Sequence, residues 1–147
     1  MKVKEIMTKD VKTVNKDTTI EQVARVLVEK HITSVPVVDK ENRVVGIISE
    51  NDLIYKNVDP ALPATMEYLG GIIFLTSVDN YEEELKKLTA TKAEQMMSED
   101  VITVNPDDSI KELGRLLIDE NIHSAPVVEE GRLVGIVTSS DIVKTLL

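Results

Sequence analysis

Cysteine and tryptophan are absent from this chain, and phenylalanine occurs once. Without cysteine there is no disulfide scaffold, no thiolate metal site and no cysteine nucleophile. Aromatic residues make up only 3%, too few for a base-stacking platform. Long apolar runs are missing too. The longest, Leu69–Leu75, is seven residues with two glycines, far short of the roughly 18 needed to cross a bilayer. The start, Met1-Lys2-Val3-Lys4-Glu5, lacks the apolar stretch of a signal peptide. A soluble, cytoplasmic protein with no membrane partner is expected. Positive charge is also scarce: 17 Lys and Arg against 26 Asp and Glu leave a net −9. A nucleic-acid partner is therefore not expected, because binding one takes a basic surface that displaces counterions.

What is present is 147 residues, 42% of them hydrophobic, enough for one domain or for two small units sharing a core. The charge is unevenly spread. Residues 1–54 carry nine basic and nine acidic groups, residues 55–91 three and six, and residues 92–147 five and eleven.

The chain repeats itself. Val11-Lys-Thr-Val-Asn-Lys-Asp17 returns ninety positions later as Val101-Ile-Thr-Val-Asn-Pro-Asp107. Ile32-Thr-Ser-Val-Pro-Val-Val38 returns as Ile122-His-Ser-Ala-Pro-Val-Val128 in the same register. Arg43-Val-Val-Gly-Ile-Ile-Ser-Glu-Asn-Asp52 returns as Arg132-Leu-Val-Gly-Ile-Val-Thr-Ser-Ser-Asp141, offset by 89. One deletion in the preceding turn, where length changes are tolerated, explains the altered offset. Residues 1–55 and 92–147 are thus two copies of one unit, with residues 56–91 as an insertion between them.

Each copy reads as β-α-β-β-α. Val11–Val14 is a short β-type run, and Thr18-x-x-Glu21 resembles a capping box. Ile20, Val23, Ala24, Leu27 and Val28 follow at helical spacing. Val35–Val38 and Val44–Ile48 flank a polar turn as two strands, and a short helix starts near Glu50. The second copy predicts Val101–Val104, a helix through Ile110, Leu113, Leu117 and Ile118, strands Ala125–Val128 and Leu133–Val137, and a last helix to Leu147. A unit of this size is marginal alone, so the copies are expected to pack sheet to sheet as an α+β pair with pseudo-twofold symmetry. In the insertion, Pro60 and Pro63 forbid a continuous helix, while Tyr81–Met97 predicts one. The apolar stretch Glu67–Leu75 reads either as cover for a core edge or as a lid or subunit contact.

The Ile-x-Ser-hydrophobic-Pro-Val-Val block and the later Gly-hydrophobic-hydrophobic-Ser/Thr-x-x-Asp block, each present twice, resemble the cystathionine-β-synthase (CBS) domain in tandem. The resemblance covers all but the insertion and implies a stand-alone CBS pair. It implies two clefts between the copies for adenosine-containing ligands: AMP, ADP, ATP or S-adenosylmethionine. It also implies a homodimer. One cleft would join Lys12, Thr13, Val14, Ser34, Val35 and Pro36 to Thr138 and Asp141; the other would join Ile102, Thr103, Val104, Ser124, Ala125 and Pro126 to Ser49 and Asp52. Some family members carry a basic residue for phosphate where this chain has His123, opposite Thr33 in the first copy. The His123 cleft is accordingly expected to hold a phosphorylated nucleotide more tightly.

Elementary chemistry fits these roles. A carboxylate accepts hydrogen bonds from ribose hydroxyls, a helix start favours phosphate, and an irregular strand can read an adenine edge with backbone groups. The bland alternatives stay open. Ser49-x-x-Asp52 and Thr138-x-x-Asp141 also match a capping box, and His123 can be an ordinary histidine at a helix–strand turn. His31 reads as a helix-end residue.

Catalysis is not expected. The two histidines lie far apart, no metal-ligand cluster or phosphate-binding glycine loop is present, and Asp52 and Asp141 share one duplicated context. No cofactor is implied beyond the adenosine ligand. The expected role is a sensor that transmits ligand binding to an unknown protein partner; the alternative is a constitutive dimerisation scaffold with empty clefts.

Overall fold

The computed structural model describes residues 1–57, 65–68, 71–74 and 78–147. Pro60, Pro63 and residues 69, 70 and 75 of the apolar stretch lie outside these, as do the side chains of its remaining residues, so neither reading of that stretch is decided. The first copy runs α1 (Val3–Ile6), α2 (Ile20–Glu29), β1 (Ser34–Val38), β2 (Val44–Ser49), α3 (Glu50–Ile54) and a 3-10 turn at Tyr55–Asn57. The insertion holds β3 (Thr65–Tyr68), β4 (Gly71–Phe74) and α4 (Val78–Thr89). The second copy follows as α5 (Ala93–Met96), α6 (Ile110–Asp119), β5 (Ser124–Glu129), β6 (Arg132–Thr138) and α7 (Ser139–Lys144). Each strand pair is an antiparallel two-stranded sheet. The mixed, duplicated α+β architecture read from the repeat is present.

The main helices open on capping boxes, but the first lies one residue beyond the expected Thr18–Glu21 pair, because Thr18 Oγ1 is taken up in the preceding turn, accepting from Asn15 N. Thr19 caps α2, accepting from Gln22 N at 3.2 Å while the Gln22 side chain accepts from Thr19 N. Ser109 and Glu112 do the same for α6. Both helices close in Schellman geometry: Ile32 N donates to Leu27 O and His31 N to Val28 O, with Ile122 and Asn121 matching them. His31 (φ 53°) and Asn121 (φ 52°) take the left-handed position. Val23, Leu27, Leu113 and Leu117 point into the core, but Val28 and Ile118, read as part of the apolar stripe, are exposed.

The first strand of each copy is shorter than its sequence suggests. Val14 makes only an isolated parallel bridge to Val37, and Val104 to Val127. The cause lies opposite. Val14 N donates to Pro36 O and Val14 O accepts from Val38 N. The next rung would require Pro36 to donate an N–H to Lys12 O, and proline has none. Pro126 stops the second copy's ladder at Ile102 in the same way.

Sequence similarity and packing part company at the start of each copy. The α1 turn docks on the second copy: Val3 is fully buried there, Val3 N donates to Asp108 O, and Thr8 and Ile136 exchange two backbone bonds. Lys2 and Lys4 both bond Asp107, and the Lys4 hydrogen bond is the main cause that holds this exposed carboxyl below its usual range. Reciprocally, α5 docks on the first copy, burying Ala93 and Met96, with Ala93 N donating to Thr18 O and Ser98 exchanging bonds with Ile47. The expected helix over Tyr81–Met97 is therefore two, α4 and α5, broken at residues 90–92. Each copy lends its first turn to the other's core. Glycine makes this possible: a Cβ on Gly135 would lie 2.5 Å from Met7 Sδ, and one on Gly46 2.7 Å from Met97 Cγ.

Candidate functional site

Within each copy the predicted binding residues converge through backbone pairing. Val14 lies beside Pro36, and Ser34 is the register partner of Ser49, which opens α3 ahead of Asp52. Lys12, Thr13, Val14, Ser34, Val35, Pro36, Ser49 and Asp52 thus form one neighbourhood. Ile102, Thr103, Val104, Ser124, Ala125, Pro126, Thr138 and Asp141 form its equivalent, with Ser124 opposite Thr138. The two neighbourhoods meet where Ser34 Oγ and Ser124 Oγ share a 2.7 Å hydrogen bond. That contact joins the same residue of both repeats, so it marks the pseudo-twofold axis. A second junction lies at the turn residue Asn42, which exchanges two 3.0 Å bonds with the backbone of Leu133.

The chemistry available is specific. Thr13 and Thr103 are exposed, whereas Val14, Val104, Val35, Ala125 and both prolines are buried. Among the described residues no backbone donor reaches the carbonyls of Lys12 or Ile102. The proline-truncated ladders thus leave an acceptor on each edge.

Asp52 and Asp141 are nearly covered, with side-chain exposures of 11% and 13%. Each serves as a helix cap. Asp52 Oδ2 accepts from Ser49 N at 2.9 Å and from Ser49 Oγ at 3.3 Å; Asp141 Oδ2 accepts from Thr138 N at 2.8 Å and Thr138 Oγ1 at 3.0 Å. The capping reading is real, and it occupies one oxygen of each carboxylate. Oδ1 remains, with lone pairs for a further donor.

The short helices offer less to phosphate than their starts suggest. Glu50 N donates to Thr33 O and Ser139 N to His123 O, both at 2.9 Å, and Asp141 N donates to Thr138 Oγ1. The first N–H of each helix, and the third of α7, are therefore already paired. The His123 side chain is exposed, as is Thr33.

Two residues that the repeat did not single out enter the first neighbourhood from elsewhere. Lys87 of α4 forms an ion pair and hydrogen bond with Asp52 Oδ1, and its ammonium lies 5.5 Å from the centre of the Tyr55 ring. Lys56 donates to Ala90 O and ties the end of the first copy to the segment after α4. The available signal was charge: the insertion contains just three basic residues, Lys56, Lys86 and Lys87. Two of them turn inward. Among the described residues no group of three metal-ligating side chains occurs, and no helix is long and apolar enough to cross a membrane.

Known proteins resemble this chain in sequence and in fold. An uncharacterized protein of Methanocaldococcus jannaschii, MJ1426, is 31% identical over 155 residues, covering 100% of this chain and 92% of its own. The crystal structure of CBSX2 in complex with AMP superposes with a TM-score of 0.82 at 22% identity, over 99% of this chain and 95% of that one, a likeness of fold. The CBS domain pair of protein MJ0100, in complex with 5'-methylthioadenosine and S-adenosyl-L-methionine, gives a TM-score of 0.73 at 26% identity with both chains fully covered. The profile of the CBS domain matches residues 3–59 and 93–147. The chain belongs to the CBS domain family and is a tandem pair of CBS domains.

Proposed function

We propose that this CBS pair is a regulatory module that binds adenosine-containing ligands at the two neighbourhoods flanking the Ser34–Ser124 contact. The observation that carries the reading is the coincidence, in both copies, of a strand-edge carbonyl that no backbone donor reaches among the described residues and a nearly covered aspartate with one oxygen beyond its cap. The Lys12 or Ile102 carbonyl is suited to the adenine amino group, and Asp52 or Asp141 Oδ1 to a ribose hydroxyl. An adenosine ligand spanning both copies would engage the predicted residues across the axis, Lys12–Val14 and Ser34–Pro36 with Thr138 and Asp141, or the reverse set with His123. It would favour one arrangement of the copies through its differential affinity for it. The role is binding rather than catalysis. AMP or S-adenosylmethionine is favoured over ATP, because the net −9 charge opposes a polyphosphate. The similarity to the pair that binds 5'-methylthioadenosine and S-adenosyl-L-methionine supports the ligand class.

The test is a thermal-shift titration with AMP, ATP, S-adenosylmethionine, NAD and GTP. A native-state ligand at a hundredfold excess over Kd stabilises by about 2.7 kcal/mol. A rise limited to adenosine compounds and reduced in Asp52→Ala or Asp141→Ala is expected. A flat response across the panel overturns the reading.

A scaffold is the second reading, favoured by a symmetric set of exposed apolar residues: Val28 with Ile118, and Ile54 with Val143. These suit a second copy of the chain. A melting temperature that depends on protein concentration but not on nucleotide would select it.

A further inference from the structure

The two aspartates are equivalent in sequence, in capping and in burial, yet their outward oxygens differ. Asp52 Oδ1 is held by Lys87, whose side chain is only 14% exposed and packs over Tyr55. Among the described residues, the cation near Asp141 Oδ1 is Lys144, 3.7 Å away and 73% exposed, on its own helix. Lys144 is the repeat counterpart of Tyr55, so the second copy lacks the ring on which Lys87 rests.

We propose that Lys87 is a built-in occupant of the Asp52 ligand position, so that the Asp141 position binds first and the Asp52 position opens only when α4 withdraws its ammonium. The inference rests on the adenosine reading above. It reverses the ranking expected from His123. An ammonium hydrogen-bonded to a nearly covered carboxylate competes directly with a ribose hydroxyl for the same oxygen, and a neutral hydroxyl cannot replace its charge. The chain just after α4 is anchored, through the Lys56 bond to Ala90 O and through Ala90, Ala93 and Met96 buried in the first core. Release of Lys87 would therefore loosen a defined segment of the insertion, which gives the second binding event a different structural consequence from the first.

Calorimetric titration of AMP into four proteins tests this: wild type, Lys87→Met, Asp141→Ala and the double variant. Wild type should show one tight phase that Asp141→Ala removes. Lys87→Met should add a second phase, and in the double variant that phase should stand alone. If Lys87 holds the position closed nine-tenths of the time or more, the double variant binds AMP about tenfold or more tightly than Asp141→Ala. Lys87→Gln and the far-UV circular dichroism of each variant guard against loss of fold. Equal affinity in the double variant and Asp141→Ala overturns the proposal. So does weaker binding in Lys87→Met than in wild type, which would make Lys87 a contact for phosphate. If wild type binds AMP and removal of Lys87 changes nothing, only this inference falls. If no folded variant binds AMP or, titrated in its place, S-adenosylmethionine, the adenosine reading falls and takes this inference with it.

Discussion

The two CBS domains of this chain share a backbone plan and differ in what surrounds it. Both have a bulged hairpin with the register shift at the same place, between Val37 and Val38 and between Val127 and Val128. Both have a proline that truncates the ladder and an aspartate that caps the helix after the hairpin. The differences lie one step outward. A nearly buried Lys87 covers Asp52, whereas Asp141 has the exposed Lys144 beside it; Tyr55 stands where Lys144 does; the first copy caps α2 with Gln22 where the second caps α6 with Glu112. Duplication has kept the residues that backbone hydrogen bonding requires, and has let charge diverge where only side chains meet. One fold can therefore present two positions with unequal access.

The comparison can be broken most severely at the exchanged turns. Met96 of α5 is fully buried in the first core, whereas its counterpart Ile6 is half-buried in the second. Met96→Ala is expected to destabilise by about 2–5 kcal/mol, the range for truncating a buried large side chain, and Ile6→Ala by less. Equal shifts in the urea midpoint would show that the turns contribute alike.

A smaller effect is expected at the paired glycines. The three nearest neighbours of a Cβ on Gly46 are Met97 side-chain atoms, including Met97 Cβ at 2.9 Å, whereas those on Gly135 are Met7 Sδ, Met7 Cγ at 3.0 Å and the Thr8 carbonyl at 3.1 Å. Gly135→Val should fall in the range of about 1–3 kcal/mol for overpacking, with Gly46→Val the costlier of the two because Met97 Cβ, 2.9 Å away, is held by its own backbone and cannot swing aside. Chemical denaturation of both variants checks the order.

The subtlest difference is in pH response. The Ser109 backbone N–H, then its hydroxyl, hold Glu112 below the usual glutamate range. A depressed folded-state pKa means its stabilisation is present above the unfolded value and disappears as pH falls through the folded one. Gln22 in the first copy does not titrate. Acidification below about pH 4.5 should therefore speed amide exchange in the first turn of α6 but not of α2, as read by NMR. Identical responses in the two helices would assign the acid sensitivity to something common to both copies, such as Asp107 between them.

Much of this was legible in the residues. The repeated Ser-x-Pro-Val-Val and Gly-x-x-Ser/Thr-x-x-Asp blocks encode hairpin, cap and helix by local rules of spacing and backbone chemistry. The first strands were over-read because Val11–Val14 looks β-prone in isolation, and only the partner strand reveals that Pro36 cannot supply the next donor. The exposed Val28 and Ile118 were over-read because periodicity marks a stripe but not its width. The exchange of α1 and α5 had a signal in the ninety-residue match of Val3, Ile6 and Met7 with Ala93, Met96 and Met97. That match shows similarity between the turns, not which core receives them.

By itself, then, the sequence determined the duplicated α+β plan, the family and the paired aspartates, because capping, strand pairing and apolar periodicity act between residues close in the chain. The tertiary structure alone decided that each copy borrows its first turn from the other, that Ser34 meets Ser124 on the axis, and that Lys87 lies on Asp52 and not on Asp141. Those contacts join residues 35 to more than 100 positions apart, and no local rule relates side chains whose proximity is produced only by the packing of the whole chain.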